Sequence, residues 1–511
     1  MNDFEARKIC YESFGGFGLI AYKILLESVN HSNLHSLCKS VGASYKFVKD
    51  VVQIFGETNG ETYKIKNLDF CKQNLLNFDF YKQKINAIVS QFSMHNKKLD
   101  HVSANVETLV KRAEYICQNI DTQNCKILFL GDHDFSSIAL ATILKDCKID
   151  YSIAVVDIDD NVLNFVFECS KQYGLNITAL HSDFRQGVAN FFARKFDLIF
   201  SDPPYTPEGM ALFLQRAIDC AKDKFSQIYL CYKTAELSPA IGQKVQKEMM
   251  KHQIYFRAIL PDFNQYVAAE ALGYRSDLYV CDLTPKCFEQ ANQNQSYNIY
   301  THGSDSIEAT PKIVLNFDDI VKKISQKYGF DANLFKVITD KQSKQPDKTI
   351  SGAVFYRTKQ NKNFNVSRQS IFLHDFTYQN ADVLDLRTLI MSDKESQFAI
   401  FSTEQTKVVY GKKFEVITSL YNISIVFETN DYVVLRFDLK PDILNSTKSI
   451  MIYKNSSIKN AYTKLSSKFK MSTQNQAREE FSHFVDLQPY ADCNVFDLPL
   501  DVLKILFKCV A

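Results

Sequence analysis

Residues 127–134, Ile127-Leu128-Phe129-Leu130-Gly131-Asp132-His133-Asp134, and residues 199–206, Ile199-Phe200-Ser201-Asp202-Pro203-Pro204-Tyr205-Thr206, decide how this chain is read. Each is an apolar strand running into a polar turn. In the second turn two prolines fix the backbone, so the Asp202 carboxylate and the carbonyls point one way. An amine held there would donate hydrogen bonds to Asp202 and to a proline carbonyl. Its lone pair would then face an electrophile. Tyr205 would stack on a planar group or pack on an alkyl chain. The turn therefore points to alkylation of a nitrogen.

Outward from these turns, the chain alternates strand and helix from Cys125 onward. Strands are predicted at 126–130, 152–157, 177–181, 196–201, 226–232, 254–259 and 277–283, with helices such as Phe135–Leu144, Val162–Tyr173 and Glu208–Ala221 between them. That alternation predicts a parallel sheet covered on both faces. Its ligand belongs beyond the carboxyl ends of the strands. The polar strand ends are Gly131-Asp132-His133-Asp134, then Asp157 with Asp159, then Ser182-Asp183-Phe184-Arg185, then Asp202-Pro203-Pro204-Tyr205. Asp157 is placed for ribose hydroxyls and Asp183 for an adenine amino group. Those are the demands of S-adenosylmethionine or its decarboxylated relative. Gly131 lacks the full G-x-G-x-x-G, and Asp134 before Phe135-Ser136-Ser137 fits a helix N-cap equally well.

A chain of 511 residues is too long for one core, so several domains are expected. Residues 1–68 read as a winged helix, with helices at Gly16–Leu26, Leu34–Val41 and Tyr45–Phe55. Gly56-Glu57-Thr58-Asn59-Gly60 before Tyr63-Lys64-Ile65 gives the hairpin. Lys46 and Lys49 could meet DNA phosphate, but two lysines also suit a solvated face. Residues 69–122 read as a helical connector, strongest at Val102–Cys117. Residues 123–300 form the Rossmann-like α/β unit, and residues 301–511 an α+β domain of unassigned role. A boundary is expected at 300–320, after the polar stretch Asn294–Tyr300. Beyond it come β-rich runs at Ala353–Tyr356, Ser370–Leu373, Phe398–Phe401, Ile423–Phe427 and Tyr432–Phe437, then helices at Ile458–Phe469, Thr473–Phe484 and Leu500–Cys509.

Sixty Lys+Arg balance 58 Asp+Glu, so no global basic footprint favours nucleic acid. The thirteen cysteines are scattered without a CxxC pair, which predicts reduced thiols, no metal site and a cytoplasmic protein. The opening MNDFEARKIC lacks the features of a signal peptide, and no apolar run is long enough for a membrane span.

The ordered motifs resemble those of the branched-chain polyamine synthases, the N4-bis(aminopropyl)spermidine synthases, over about residues 1–285. The resemblance rests on G-D-H-D-F-S-S-I-A-L at 131–140, V-V-D-I-D-D at 155–160, S-D-F-R at 182–185, S-D-P-P-Y-T at 201–206 and D-F-N-Q-Y at 262–266. It implies a winged helix joined to a Rossmann-like aminopropyltransferase that alkylates an aliphatic amine and releases 5′-methylthioadenosine. It implies catalytic roles for Asp132, His133, Asp134, Asp202 and Tyr205. Gly131, Asp157, Asp159, Asp183, Pro203 and Glu107 would bind the adenosyl co-substrate, with Asp100 and Thr108 near a cofactor-facing loop and helix. Pro204, Thr206, Asn264, Gln265 and Tyr266 would bind the amine. His133 replaces the middle aspartate of the family's acidic triplet, and Gln265 replaces an acid. Both changes remove negative charge, which favours an acceptor less cationic than spermidine or else leaves the site inactive. A homodimer is one assembly open to such a chain.

Two rival readings share the same motifs. One is an S-adenosylmethionine-dependent amino-group methyltransferase acting on a flipped base of nucleic acid. The other is a non-catalytic regulator that binds an adenosyl ligand and DNA. Charge around Tyr205 discriminates: acidic favours an amine, basic favours nucleic acid.

Overall fold

The computed structural model describes residues 3–14, 17–65, 77–92, 103–119, 125–233 apart from 186 and 189, 239–267, 273–289, 299, 313, 315–339, 349–350, 369–377, 386, 387, 389, 396–409, 415–440, 457–469 and 473–510. Asp100, most of the polar stretch 294–300 and the strand expected at Ala353–Tyr356 lie outside the described residues.

The chain starts with helices α1 (Asp3–Phe14), α2 (Gly18–Glu27), α3 (Leu34–Val41) and α4 (Tyr45–Phe55), then an antiparallel hairpin of β1 (Gly56–Asn59) and β2 (Thr62–Ile65). Gly42 ends α3 at φ +64°, a left-handed position that glycine takes without strain. Ser44 caps α4, accepting from the Phe47 amide at 3.4 Å. The apolar face Val48, Val51, Val52 and Phe55 packs on Ile24, Leu25, Leu34 and Leu37.

Helices α5 (Phe78–Val89) and α6 (Val106–Asn119) lead into the central sheet. Its strands are β3 (Cys125–Leu130), β4 (Tyr151–Asp157), β5 (Ile177–His181), β6 (Leu198–Ser201), β7 (Gln227–Tyr232), β8 (Tyr255–Gln265) and β9 (Arg275–Asp282). The spatial order is β5-β4-β3-β6-β7-β9-β8, parallel through β7, with β9 antiparallel to both of its neighbours. The intervening helices are α7 (Ser136–Asp146), α8 (Asp160–Tyr173), α9 (Pro207–Cys220) and α10 (Pro239–Lys251). Buried residues of α6, α7 and α8 cover one face, and those of α9 and α10 the other. The strand order reverses between β3 and β6, so their carboxyl ends open a crevice. This is a Rossmann-like sheet of the methyltransferase type. The strand expected at 254–259 runs on to Gln265, because register shifts against β9 carry it past Pro261 and Asp262.

After α11 (Phe317–Tyr328) comes a second sheet: β10 (Phe335–Ile338), β11 (Thr349–Ile350), β12 (Ile371–Asp375), β13 (Ser396–Ser402), β14 (Tyr421–Glu428) and β15 (Tyr432–Leu439). Its order is β11-β10-β12-β13-β15-β14. β11, β10, β12 and β13 are parallel neighbours, and β15 is antiparallel to β13 and β14. Without β5, the first sheet has the same order and the same pairing senses. The second sheet therefore repeats the first sheet's topology in six strands. Helices Ile458–Phe469, Gln474–Ser482 and Leu500–Val510 follow. One apolar core joins both sheets, from Leu128, Val156 and Ile199 through Met210 and Leu214 to Ala399, Leu435 and Phe437. No helix among the described residues is long and apolar enough to cross a membrane.

Candidate active site

The loop after β3 turns sharply. Gly131 has φ +72° and Phe135 φ +64°, so two residues within five are left-handed. The turn aims two carboxylates back at the start of α7. Asp132 accepts from the Ser137 amide at 3.2 Å and from the Ser137 hydroxyl. Asp134 accepts from the Ser136 amide at 3.1 Å and its hydroxyl at 2.9 Å. Both therefore accept from first-turn amides of α7, whose N-cap position is Phe135 and not the expected Asp134. Burial, and then neighbouring Asp134, push the Asp132 carboxyl well above its ordinary range.

The centre of the site is a residue that the motifs did not reveal. Arg112 of α6 is 1% exposed and reaches across the strand ends. Its Nη1 donates to Asp134, and to Ser136 Oγ at 2.9 Å. Its Nη2 donates to Asp202 Oδ2 at 2.9 Å, and its Nε to Asn264 Oδ1 at 2.8 Å. The guanidinium also lies over the Phe200 ring at 5.0 Å. A signal was present in the sequence. Leu109, Arg112, Ala113 and Ile116 share one helical face, and an arginine on an apolar face needs an acidic partner.

Asp202 receives two further hydrogen bonds. Tyr205 donates to Oδ1 at 3.0 Å, and Tyr266 to Oδ2 at 2.6 Å; the two hydroxyls meet at 3.0 Å. Burial raises the Asp202 pKa, with Arg112 opposing. The Tyr205 ring meets Tyr232 edge-on at 5.4 Å. Tyr266 also contacts Ser276 Oγ at 2.8 Å. The Asp-Pro-Pro-Tyr turn sits directly on α9. A Cβ on Gly209 would come within 2.9 Å of the Pro204 carbonyl oxygen, so glycine is required for this approach.

Asp157 lies at the end of β4 with its carboxylate inward. It accepts from the Asp132 amide at 3.0 Å and the Asp159 amide at 2.8 Å. Burial, opposed by those hydrogen bonds, pushes its pKa up to about 7. Asp159 caps α8, accepting from the Asn161 amide at 2.9 Å. Asp183 is engaged by the Arg185 fork, at 2.9 Å from Nε and 2.8 Å from Nη2. Burial acts to raise the Asp183 carboxyl, but Arg185 outweighs it and the pKa is lowered. An adenine contact at Asp183 would thus share its carboxylate with Arg185.

Several expected contacts have other partners. Glu107 pairs with Lys82 of α5 and is 45% exposed along its side chain. Thr206 caps α9 through the Gly209 amide at 2.9 Å and donates to the Ile299 carbonyl at 2.7 Å. Asn264 is fully buried between Arg112 and Ser276, supporting the cluster from behind. Gln265 is exposed, and its side chain accepts from Asn105 at 3.2 Å. His133 is 9% exposed, with ring contacts to Phe92 at 5.9 Å and Phe135 at 6.5 Å. The structure thus brings together Gly131, Asp132, Asp134, Asp157, Asp159, Asp202, Pro203, Pro204, Tyr205 and Tyr266, with Arg112 added. It sets Glu107, Thr206, Asn264 and Gln265 in supporting positions. Among the described residues no group of three or more His, Cys, Asp or Glu could hold a metal.

The sequence family "Branched-chain polyamine synthase A C-terminal domain" matches residues 81–336. An uncharacterised protein from Methanocaldococcus jannaschii is 29% identical over 196 residues, 38% of this chain and 48% of its own. The N(4)-bis(aminopropyl)spermidine synthase of the same organism is 27% identical over 214 residues, 42% of this chain and 59% of its own. The chain thus spans about half the length of these curated relatives. Among solved structures, the Thermus thermophilus branched-chain polyamine synthase, in complex with N4-aminopropylspermidine and 5′-methylthioadenosine, is similar at a TM-score of 0.38 and 15% identity, over 54% of this chain and 90% of that one.

Proposed function

The chain belongs to the branched-chain polyamine synthase family, and on that premise we propose that it transfers an aminopropyl group from decarboxylated S-adenosylmethionine to the nitrogen of an aliphatic amine. The observation that carries this reading is the acidic character of the strand ends around Tyr205. Asp134, Asp159 and Asp202 gather there with Asp132 and Asp157, whose burial favours the protonated form, and the single charge of Arg112 is shared between Asp134 and Asp202. Such a site attracts a sulfonium and an ammonium, and repels the phosphates of nucleic acid.

The chemistry is a displacement at carbon. The amine nitrogen forms the new C–N bond while the C–S bond breaks, and its electron pair stays on sulfur as the neutral thioether of 5′-methylthioadenosine. The nitrogen's extra proton passes to a carboxylate. Asp202, whose burial raises its proton affinity, suits that role. The Tyr205 and Tyr266 hydroxyls hold the carboxylate in place. Asp157 and Asp159 are assigned to the ribose. His133, set among aromatic rings, is assigned to shaping the pocket wall, with the base at Asp202. The same reading treats residues 1–68 as a winged-helix unit in a cytoplasmic enzyme; residues 301–511, expected as an α+β domain, instead carry a mostly parallel sheet that shares a core with the first.

Mass spectrometry of products after incubation with each donor and a panel of amines tests this. Aminopropylated amine from the decarboxylated donor is expected. Methylated amine or base from S-adenosylmethionine would overturn it.

A further inference from the structure

Asp160, the first residue of α8, directly follows the ribose-assigned acids Asp157 and Asp159. It is 3% exposed. Its carboxylate faces the other half of the molecule. Arg387 donates Nη1 to Asp160 Oδ2 at 3.1 Å and Nη2 to Oδ1 at 2.7 Å, a two-pronged pair. Arg387 is itself 2% exposed, and its Nη2 also donates to the Leu498 carbonyl at 3.0 Å. The Leu500 amide donates to Asp160 Oδ1 at 3.2 Å. Two separate segments, at 387 and at 498–500, thus converge on this corner beside the donor pocket, Arg387 and the Leu500 amide on the carboxylate itself and the Leu498 carbonyl on Arg387. Both segments lie beyond the family match, which ends at residue 336.

A buried pair of this kind is a weak source of net stability, because desolvation of both ions offsets their attraction. It does fix geometry, since both ions must stay paired to remain buried. The contacts also continue along α8. Tyr490 packs on Phe167 at 6.2 Å, and Lys171 meets Asp486 at 2.9 Å. The end carrying the buried pair is the end that bears the acids.

We propose that Arg387 is a positioning residue for the donor site: the C-terminal unit, built on a repeat of the transferase sheet, holds the Asp157–Asp160 loop in its ligand-binding form through this ion pair. Arg387 touches no substrate in this scheme. It acts through Asp160 on the placement of Asp157 and Asp159. The assignment of those acids to an adenosyl ligand rests on the proposed function; the brace itself does not.

The test uses the full chain with Arg387→Met, Arg387→Lys, Asp160→Asn and, as a control at the contact with Lys171 at the far end of α8, Asp486→Ala. Two readouts separate the brace from the pocket's identity. Amide hydrogen exchange in the ligand-free protein reports the loop, and calorimetry with 5′-methylthioadenosine reports the pocket. Arg387→Met should speed exchange at residues 157–163 while leaving β7 unchanged. It should weaken the nucleoside, and raise the KM for the donor, by about tenfold, the scale of a small misplacement in a binding site. The amine KM should stay within about twofold, and Arg387→Lys should restore part of the loss. Asp486→Ala should change none of these. Should Arg387→Met fail to fold, Asp160→Asn carries the same expectations. Unchanged exchange and nucleoside affinity in a folded variant would overturn the proposal, as would equal losses for donor and amine. A wild-type chain that binds no adenosyl thioether would overturn the pocket's assignment, and the exchange readout would still decide the brace.

Discussion

In the first sheet, the aspartate that follows β6 faces an arginine and two tyrosines; in the second, the aspartate at the matching register of β12 faces two threonines. The match is set by pairing: Ser201 lies opposite Leu130, and His374 opposite Ile338, so Asp202 and Asp375 each come one residue later. Asp375 is 1% exposed. It accepts from Thr339 Oγ1 at 2.8 Å and from the Thr377 hydroxyl at 2.7 Å. Phe376 then stacks on His374 and Phe401, at 5.9 and 5.1 Å. Asp202 is followed instead by Pro203, Pro204 and Tyr205, and its side chain is 21% exposed. One strand order thus supports two outcomes. A carboxylate at a strand end is chemistry only when its neighbours leave it reachable.

The sharpest way to break this comparison is to remove each aspartate. Asp202→Ala should cut transfer by about a thousandfold, within the range for a positioned acid or base, with nucleoside affinity nearly intact. Normal turnover would mean that Asp-Pro-Pro-Tyr is only a turn. Next in size is Arg112→Met, which leaves buried carboxylates without their cation. A loss of about 3 kcal/mol in urea unfolding is expected, and an unchanged midpoint would remove Arg112 from its central place. Asp375→Ala should cost about 2 kcal/mol by leaving the buried Thr339 hydroxyl without its acceptor, with turnover unaltered. A turnover defect there would mean that the second sheet carries chemistry.

Asp157 gives a smaller, pH-dependent effect. Its folded pKa of about 7 stands above the ordinary carboxylate value. The folded chain therefore holds this proton more tightly than the unfolded chain. The resulting stability is present below about pH 4 and is lost as pH rises through about 7. A ribose that donates to the ionised carboxylate has the opposite preference, so nucleoside binding should tighten over that window. Asp157→Asn should flatten both trends, as read by melting and calorimetry at pH 6 and 8. Asp157→Ala should weaken the nucleoside by about 1–3 kcal/mol. The smallest effect is at His133. His133→Asp should shift preference severalfold towards a more cationic amine, since it adds a carboxylate near the pocket. No shift in competition assays would leave His133 as a packing residue.

The first sheet was legible because most of its strands are continuous apolar runs, several of them leading into an acid, and each boundary except that of β8 fell close to its observed place. The strands Phe398–Phe401 and Tyr432–Phe437 were legible for the same reason. Their order was not, because parallel pairing joins residues distant in sequence and leaves no local pattern. Arg112 stayed hidden within a stretch read as a connector. Thr206 and Asn264 belonged to recognisable motifs, but a motif does not say whether a polar atom turns to a ligand or to its own backbone. The aromatic setting of His133 depends on Phe92 from a different segment.

The hydrogen bond from Leu500 to Asp160 spans 340 residues of chain. A ribosome makes the donor loop early and its last clamp near the end. If the brace acts as proposed, the pocket stays unclosed during synthesis until residues 498–500 have emerged and docked. Contacts of such long range form slowly. A stop codon between residues 267 and 498 would thus yield a polypeptide with every motif present and the loop unclamped. Newly made and truncated copies would share one fault, a weak grip on the nucleoside, and full-length folding would act as the enzyme's own quality check.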